Sequence, residues 1–297
     1  MDGCGPANYR SQFGGAKFSR IRWLDPGTRC ANFLTSTYDC RSSEIAAWSM
    51  IEGTDSDADD LCVCECKLEV STDVNDLVLC NAKRFAAAMN DGSVRVVAYD
   101  EGVIEPVTVY SNLHAECSCN ALCFNGDRVI SGGQGGTLGL ASVRSIETIG
   151  EQIFVSAHLD GQICLWDLRK ETAPLAKPTF SWRVTEYFQG ATAIGFGTEE
   201  GGIGFLDTRQ SSYILNTIAM PFPVGTIWEV ICFSFADFDG QSRTNVWLSR
   251  SVRSGNAFVT ILINGFASVN TFDVSAKGIL ACSDNQMITY IDKNYLA

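Results

Sequence analysis

Apolar and polar residues alternate with a period of two along most of this chain, and no window of a dozen residues sustains the i, i+3, i+4, i+7 spacing of an amphipathic helix. The clearest unit runs from Ile153 to Asp167. An apolar strand beginning at Ile153 meets an Asp160-Gly161 turn, and an alternating strand then returns to Trp166-Asp167. Such a segment reads as a β-hairpin, because the turn glycine supplies positive φ and the flanks bury every second residue.

The same grammar recurs at Phe85 to Asp100 around Asn90-Asp91-Gly92, at Val129 to Ala141 around Gly135-Gly136, and at Ala193 to Asp207 around Gly201-Gly202. It recurs again at Ile279 to Asp292 around Asp284-Asn285, and at Phe33 to Trp48 with a longer turn. With Trp166 as the ruler, the equivalent slots are Trp48, Val97, Ala141, Trp166, Leu206 and Tyr290, separated by 49, 44, 25, 40 and 84 residues. A period of about 40 to 45 residues built from short strands means a propeller. The gap of 84 holds two blades, and Trp247 divides it into 41 and 43. The gap of 25 is too short for four strands, so blade 4 is expected to lack its innermost strand.

The fold these spacings predict is all-β, a WD40-type β-propeller over residues 16–297, with residues 1–15 as a flexible N-terminal tail. A four-stranded sheet with two apolar faces cannot bury both alone; stacking the sheets around an axis covers each face and leaves only short edges. Closure of such a ring needs a strand from one end of the chain to complete the sheet at the other. Phe18 to Trp23 is the expected closing strand.

Composition changes this picture little, with 46% hydrophobic and 19% charged residues lying in the ordinary globular range. Charge changes it more. A formal net charge of −12 repels nucleic-acid phosphates and anionic lipid, so direct binding to either is disfavoured. The longest apolar stretch, Ala257 to Val269, carries Asn264 and Gly265 and is too short to span a bilayer. The start, Met1 to Pro6, lacks the basic and apolar regions of a secretory signal, which predicts a cytosolic or nuclear protein with reduced thiols.

Candidate chemistry is sparse. Cys62, Cys64 and Cys66 have the period-two spacing of one strand face rather than of a zinc knuckle; with Cys117, Cys119 and Cys123 they read as small apolar fillers. His114 lies in no recognisable motif, and His158 precedes a turn where a WD repeat needs a polar contact to the backbone. Gly132 to Gly136 resembles a phosphate cradle, but a strand follows it, not a helix N-terminus. Gly53 to Asp60 reads as a solvated acidic loop without the spacing of a calcium site. No catalytic, cofactor-binding or metal-ligating residue is therefore nominated, and no cofactor. Trp166-Asp167-Leu168-Arg169 matches the WDxR box by which some propellers dock onto cullin-RING ubiquitin ligases, with Leu206 to Arg209 a weaker echo; the same residues end an ordinary third strand. A ligase substrate receptor is thus the alternative reading.

One resemblance is more specific. Ser268 to Val274, followed by Gly278 to Asp284 and Ile288-Thr289-Tyr290, resembles the closing blade of the nucleoporin-43 family. Ile21-Arg22-Trp23, Ile227 to Val230 and Val246 to Ser249 agree in order, and the resemblance covers most of residues 17–297. It implies a seven-bladed propeller without catalytic residues, a subunit of the Y-shaped scaffold of the outer ring of the nuclear pore. It further implies other nucleoporins as partners, the nuclear envelope as location, and a kinetochore visit in animal mitosis. The span from Phe235 to Asn245 is too brief for the two middle strands the family places in blade 6. In the family register Trp247 belongs to a later strand than spacing assigns it.

Overall fold

The computed structural model describes residues 9–25, 31–51, 60–111, 113–114, 116–135, 141–170, 193–197, 203–207, 214–218, 235–236, 242–243 and 269–292. The acidic loop of Gly53 to Asp60 is outside these residues but for Asp60. So are the turns at Gly136 and Gly201-Gly202, the Ala257 to Val269 stretch but for its last residue, and the family stretches at 227–230 and 246–249.

Every described element is a strand or turn, as the period of two predicts, and no helix is long and apolar enough to cross a membrane. The chain divides into two compact units, residues 1–119 with 265–297, and residues 120–264.

The first unit begins with β1 (Tyr9–Phe13). A four-stranded antiparallel meander follows: β2 (Phe18–Trp23), β3 (Asn32–Thr37), β4 (Ser43–Met50) and β5 (Cys62–Val70). A second comprises β6 (Val74–Asn81), β7 (Arg84–Met89), β8 (Val94–Asp100) and β9 (Val103–Tyr110).

β10 (Cys119–Asn125) leads into the second unit, where it pairs with β11 (Arg128–Gly133). Next come β12 (Val143–Thr148), β13 (Ile153–His158) and β14 (Ile163–Asp167), and then β15 (Ala193–Gly197), β16 (Ile203–Asp207) and β17 (Ile214–Ile218). The two-residue strands β18 (Phe235–Ala236) and β19 (Ser242–Arg243) pair with each other. The chain returns to the first unit through β20 (Val269–Val274), β21 (Gly278–Ser283) and β22 (Met287–Asp292).

In the first unit three four-stranded sheets pack face to face, the arrangement of consecutive propeller blades. Alternation along each strand sends one set of side chains to each neighbouring sheet. On β4, Ala46, Trp48 and Met50 join Leu280, Cys282, Ile288 and Tyr290 of the C-terminal sheet. Ile45 and Ala47 face Leu77, Phe85, Val97 and Tyr99 of the second sheet instead. Both faces of the first sheet are thus dry, which is why its strands are apolar at nearly every inward position.

Four expectations are corrected. The strand completing the C-terminal sheet is β1, with Tyr9 opposite Ile291 and Phe13 opposite Met287, so residues 9–13 are not tail. Phe18 to Trp23 instead forms β2 and opens the first sheet, because Phe18, Ile21 and Trp23 are fully buried and need an inner position. An outer strand needs no such pattern; Arg10 and Phe13 of β1 face solvent.

Blade 4 has its first strand: β12 pairs with β13 from Val143 opposite His158 to Thr148 opposite Phe154. Most of the segment between β11 and β12, residues 136–140, lies outside the described residues. Finally, a β-bulge at Glu65 sets Cys64 opposite Trp48 but Cys66 opposite Ala47. Cys62 and Cys64 therefore pack on one face of β5 and Cys66 on the other, and the three thiols do not share a face.

Candidate functional site: buried polar clips and an exposed strand edge

The repeat slots align in space as they do in sequence. Directly opposite five of the six on the preceding strand stands an apolar residue: Phe33 for Trp48, Phe85 for Val97, Phe154 for Trp166, Ile194 for Leu206 and Leu280 for Tyr290, while Ala141 lies in no described strand. In two sheets the local geometry is the same. Phe33 and Trp48 stack at 6.2 Å, and Trp48 Nε1 donates to Thr35 Oγ1 at 2.8 Å. Phe154 and Trp166 stack at 5.8 Å, and Trp166 Nε1 donates to Ser156 Oγ at 2.7 Å. A tryptophan in the third strand thus anchors to a hydroxyl two residues beyond its stacking partner.

In the second unit this anchor extends into a relay. Ser156 Oγ lies 2.8 Å from His158 Nε2, and His158 Nδ1 lies 2.9 Å from the carbonyl of Ala141. The ends fix the directions: an indole N–H only donates and a carbonyl only accepts, so the serine donates to Nε2 and Nδ1 carries the ring proton. Both Ser156 and His158 are buried. This gives His158 the backbone contact expected of it.

The inner strands of the first unit use polar side chains in the same way. Asp273 Oδ2 accepts from Trp23 N at 2.7 Å, Thr271 Oγ1 accepts from Ile21 N at 3.2 Å, and Arg20 Nε donates to Asp76 Oδ1 at 2.7 Å. These contacts clip neighbouring sheets together at their innermost strands. Among the described residues, no three of His, Cys, Asp and Glu gather in a way that could hold a metal ion. Burial pushes the Cys62 thiol up to about 12, and raises Cys64 and Cys66 as well, which makes them poor ligands and nucleophiles.

The remaining sequence candidates fall as follows. Gly132 and Gly133 lie within β11, where a Cβ on Gly132 would come within 2.4 Å of Val143; this glycine permits close packing of strands. His114 sits in a loop that folds over the Gly92 turn, its amide 3.4 Å from the Gly92 carbonyl, and burial lowers its pKa. At the end of β14, Arg169 Nε and Nη2 grip the two oxygens of Asp167 at 2.8 and 2.7 Å. That fork, with the Arg169 amide, holds the carboxyl of Asp167 down to about 2. Thr208 and Arg209 of the weaker echo lie outside the described residues.

One surface was not anticipated from the sequence. On β9 only Ile104 is buried, whereas Val103, Val107, Val109 and Tyr110 are 47% to 52% exposed, and Leu113 just beyond is 53% exposed. A β-branched run such as Val103 to Tyr110 reads as core. The signal against it is Pro106, since proline inside a strand belongs at a sheet edge.

Compared with known proteins, the chain matches no protein-family model and no curated sequence.

Proposed function

We propose that this chain is a seven-bladed WD40-type propeller that acts as a structural nucleoporin of the nuclear-pore outer ring, a non-enzymatic scaffold that holds other nucleoporins at the nuclear envelope. The observation that carries the proposal is the closing sheet. The stretches that resemble the nucleoporin-43 family, Ser268 to Val274, Gly278 to Asp284 and Ile288 to Tyr290, fall on β20, β21 and β22 but for Asp284, a turn residue, and Ser268, which is outside the described residues, and β1 completes that sheet. Further support comes from seven separate antiparallel sheets among the described residues and from the repeated tryptophan–hydroxyl anchor.

The mechanism is presentation of surface. Rigid stacked sheets hold loops and outer strands in fixed places, and partner segments bury themselves there, a few aromatic or arginine anchors contributing most of the affinity. Immunoprecipitation of the tagged chain from cells tests the proposal. Recovery of the outer-ring scaffold subunits together with rim staining of the nucleus is the expected result; recovery of neither refutes it. The ligase-receptor alternative is weaker, because the Arg169 guanidinium is already engaged by Asp167. Arg169→Ala separates the two: a nucleoporin keeps its partners, whereas a receptor loses its ligase adaptor.

A further inference from the structure

β9 differs from the other outer edges of its unit. Among the described residues β8 is the one strand it pairs with, and no described strand pairs along its outer side. The outer strand β5 carries charged Glu65, Lys67 and Glu69 at three of its four exposed positions, Val63 being the fourth, which blunts it against chance pairing. β9 places valines and a tyrosine there instead. Single exposed apolar residues need no explanation, but a row of them along an unpaired strand marks a contact surface.

Charge around the strip selects what can lie on it. Lys83 is ion-paired with Asp100 at 2.5 Å, Lys67 with Glu44 at 2.7 Å, and Arg95 approaches Asp91 at 3.9 Å and donates to Ser71 at 2.6 Å. Glu105 and Glu116 are exposed and in no ion pair among the described residues, and the exposed Glu101 shares the neighbourhood of Lys83 with Asp100. The cation sharing a row with Glu105 is Arg84, two strands away across Ala98 and so about 10 Å distant. The strip is therefore mostly apolar, with Glu105 within it and an excess of negative charge around it.

We infer that β9 is a docking edge for an extended segment of a partner protein. The segment pairs along the free side of β9, covers Val103 and Tyr110 on one face of the sheet and Val109 on the other, and sets lysine or arginine against Glu101 and Glu105. Pro106, and the bulge that leaves Val107 without a partner on β8, interrupt the ladder and limit pairing to a short stretch. Eight residues span about 27 Å, a small contact that implies affinity on the order of micromolar and weakening by salt. The inference rests on the protein-binding reading alone, not on membership of the pore; co-purification tests that membership separately, so either can fail without the other.

The probe is a fluorescein-labelled peptide of about ten residues, valine alternating with threonine between paired lysines, titrated with the full chain and followed by anisotropy. The expected result is saturable binding that weakens about tenfold at high salt or when glutamates replace the lysines. It should vanish in Val107→Lys/Val109→Lys, and hydrogen exchange should show residues 103–110 gaining protection when the peptide is added. Both valines are exposed, so the variant should melt like the parent; Glu101→Gln/Glu105→Gln, which removes charge alone, provides a second route should it not. Unchanged binding by either variant, or equal binding of the acidic peptide, overturns the inference. So does strong protection of the strand in the chain alone. In that case a dimer dissolved by the lysine variant makes a second copy the occupant, and a monomer makes it the chain's own residues.

Discussion

Completion of the C-terminal sheet by the N-terminal strand can be tested at one side chain, Gln12. Its Oε1 accepts from the main-chain amides of Leu61 at 2.7 Å and Cys62 at 2.8 Å, and its Nε2 donates to the Cys62 carbonyl at 2.9 Å. These bonds fasten β1, a strand of the C-terminal sheet, to the start of β5 in the first sheet. Gln12→Ala removes all three partners at once, and both Leu61 and Cys62 are only 1% exposed. An orphaned buried main-chain group costs about 1–3 kcal/mol, but Gln12 is half-buried at an outer edge and water can enter the space it leaves. The expected loss is therefore about 2–4 kcal/mol. For a unit of about 150 residues that corresponds to a fall in Tm of roughly 5–12 °C.

The assay is denaturant unfolding followed by tryptophan fluorescence, to which Trp23 and Trp48 of this unit contribute, together with hydrogen exchange at Leu61 and Cys62. Ser11→Ala is the control on the same strand. It removes one half-buried bond, to Thr289 at 2.9 Å, and should cost at most about 1 kcal/mol. If Gln12→Ala stays within about 0.5 kcal/mol of the parent and both amides keep their protection, β1 does not clip the sheets and does not complete the C-terminal one.

Three further outcomes are expected. Ser156→Ala leaves buried His158 Nε2 and the half-buried Trp166 indole unpaired and should destabilise by about 1–3 kcal/mol in chemical denaturation; Ser156→Thr, which installs the residue found at Thr35 in the first sheet, should recover most of it. Gly92→Ala must place a Cβ at φ +80°, 2.3 Å from the carbonyl oxygens of His114 and Cys117, so it should cost more than about 2 kcal/mol and open residues 111–118 to limited proteolysis. The Asp167 carboxyl, followed by carbon NMR, should titrate near 2 and move toward 3.8 in Arg169→Ala. Because its folded value is depressed, the stabilisation it gives is complete above about 4 and is lost as pH falls toward 2.

Hairpins were legible in the sequence because they are local. A turn residue and the alternation on either side of it suffice, which is why the Ile153 to Asp167 unit and its relatives at Phe33, Phe85, Ala193 and Ile279 appear as paired strands. Trp48 and Trp166 mark the third strand for the same reason, since an indole that stacks on the opposite phenylalanine must also find a hydroxyl on that neighbour. Alternation also carried the all-β character of the chain.

Tertiary structure decided whatever depended on which sheet lies beside which. Outer strands are half solvated, so β1 carries no apolar signature to reveal that it closes the C-terminal sheet, and β9 looks like core when no neighbour covers its edge. The bulge at Glu65 moves Cys66 to the other face, a one-residue shift of pairing that leaves the sequence spacing unchanged. The relay from Trp166 through Ser156 and His158 to Ala141 crosses three segments, and only packing brings their donors and acceptors within reach. A pattern along the chain fixes which side chains seek burial; the partner that buries them is chosen by the energy of the whole assembly, to which distant segments contribute as much as near ones.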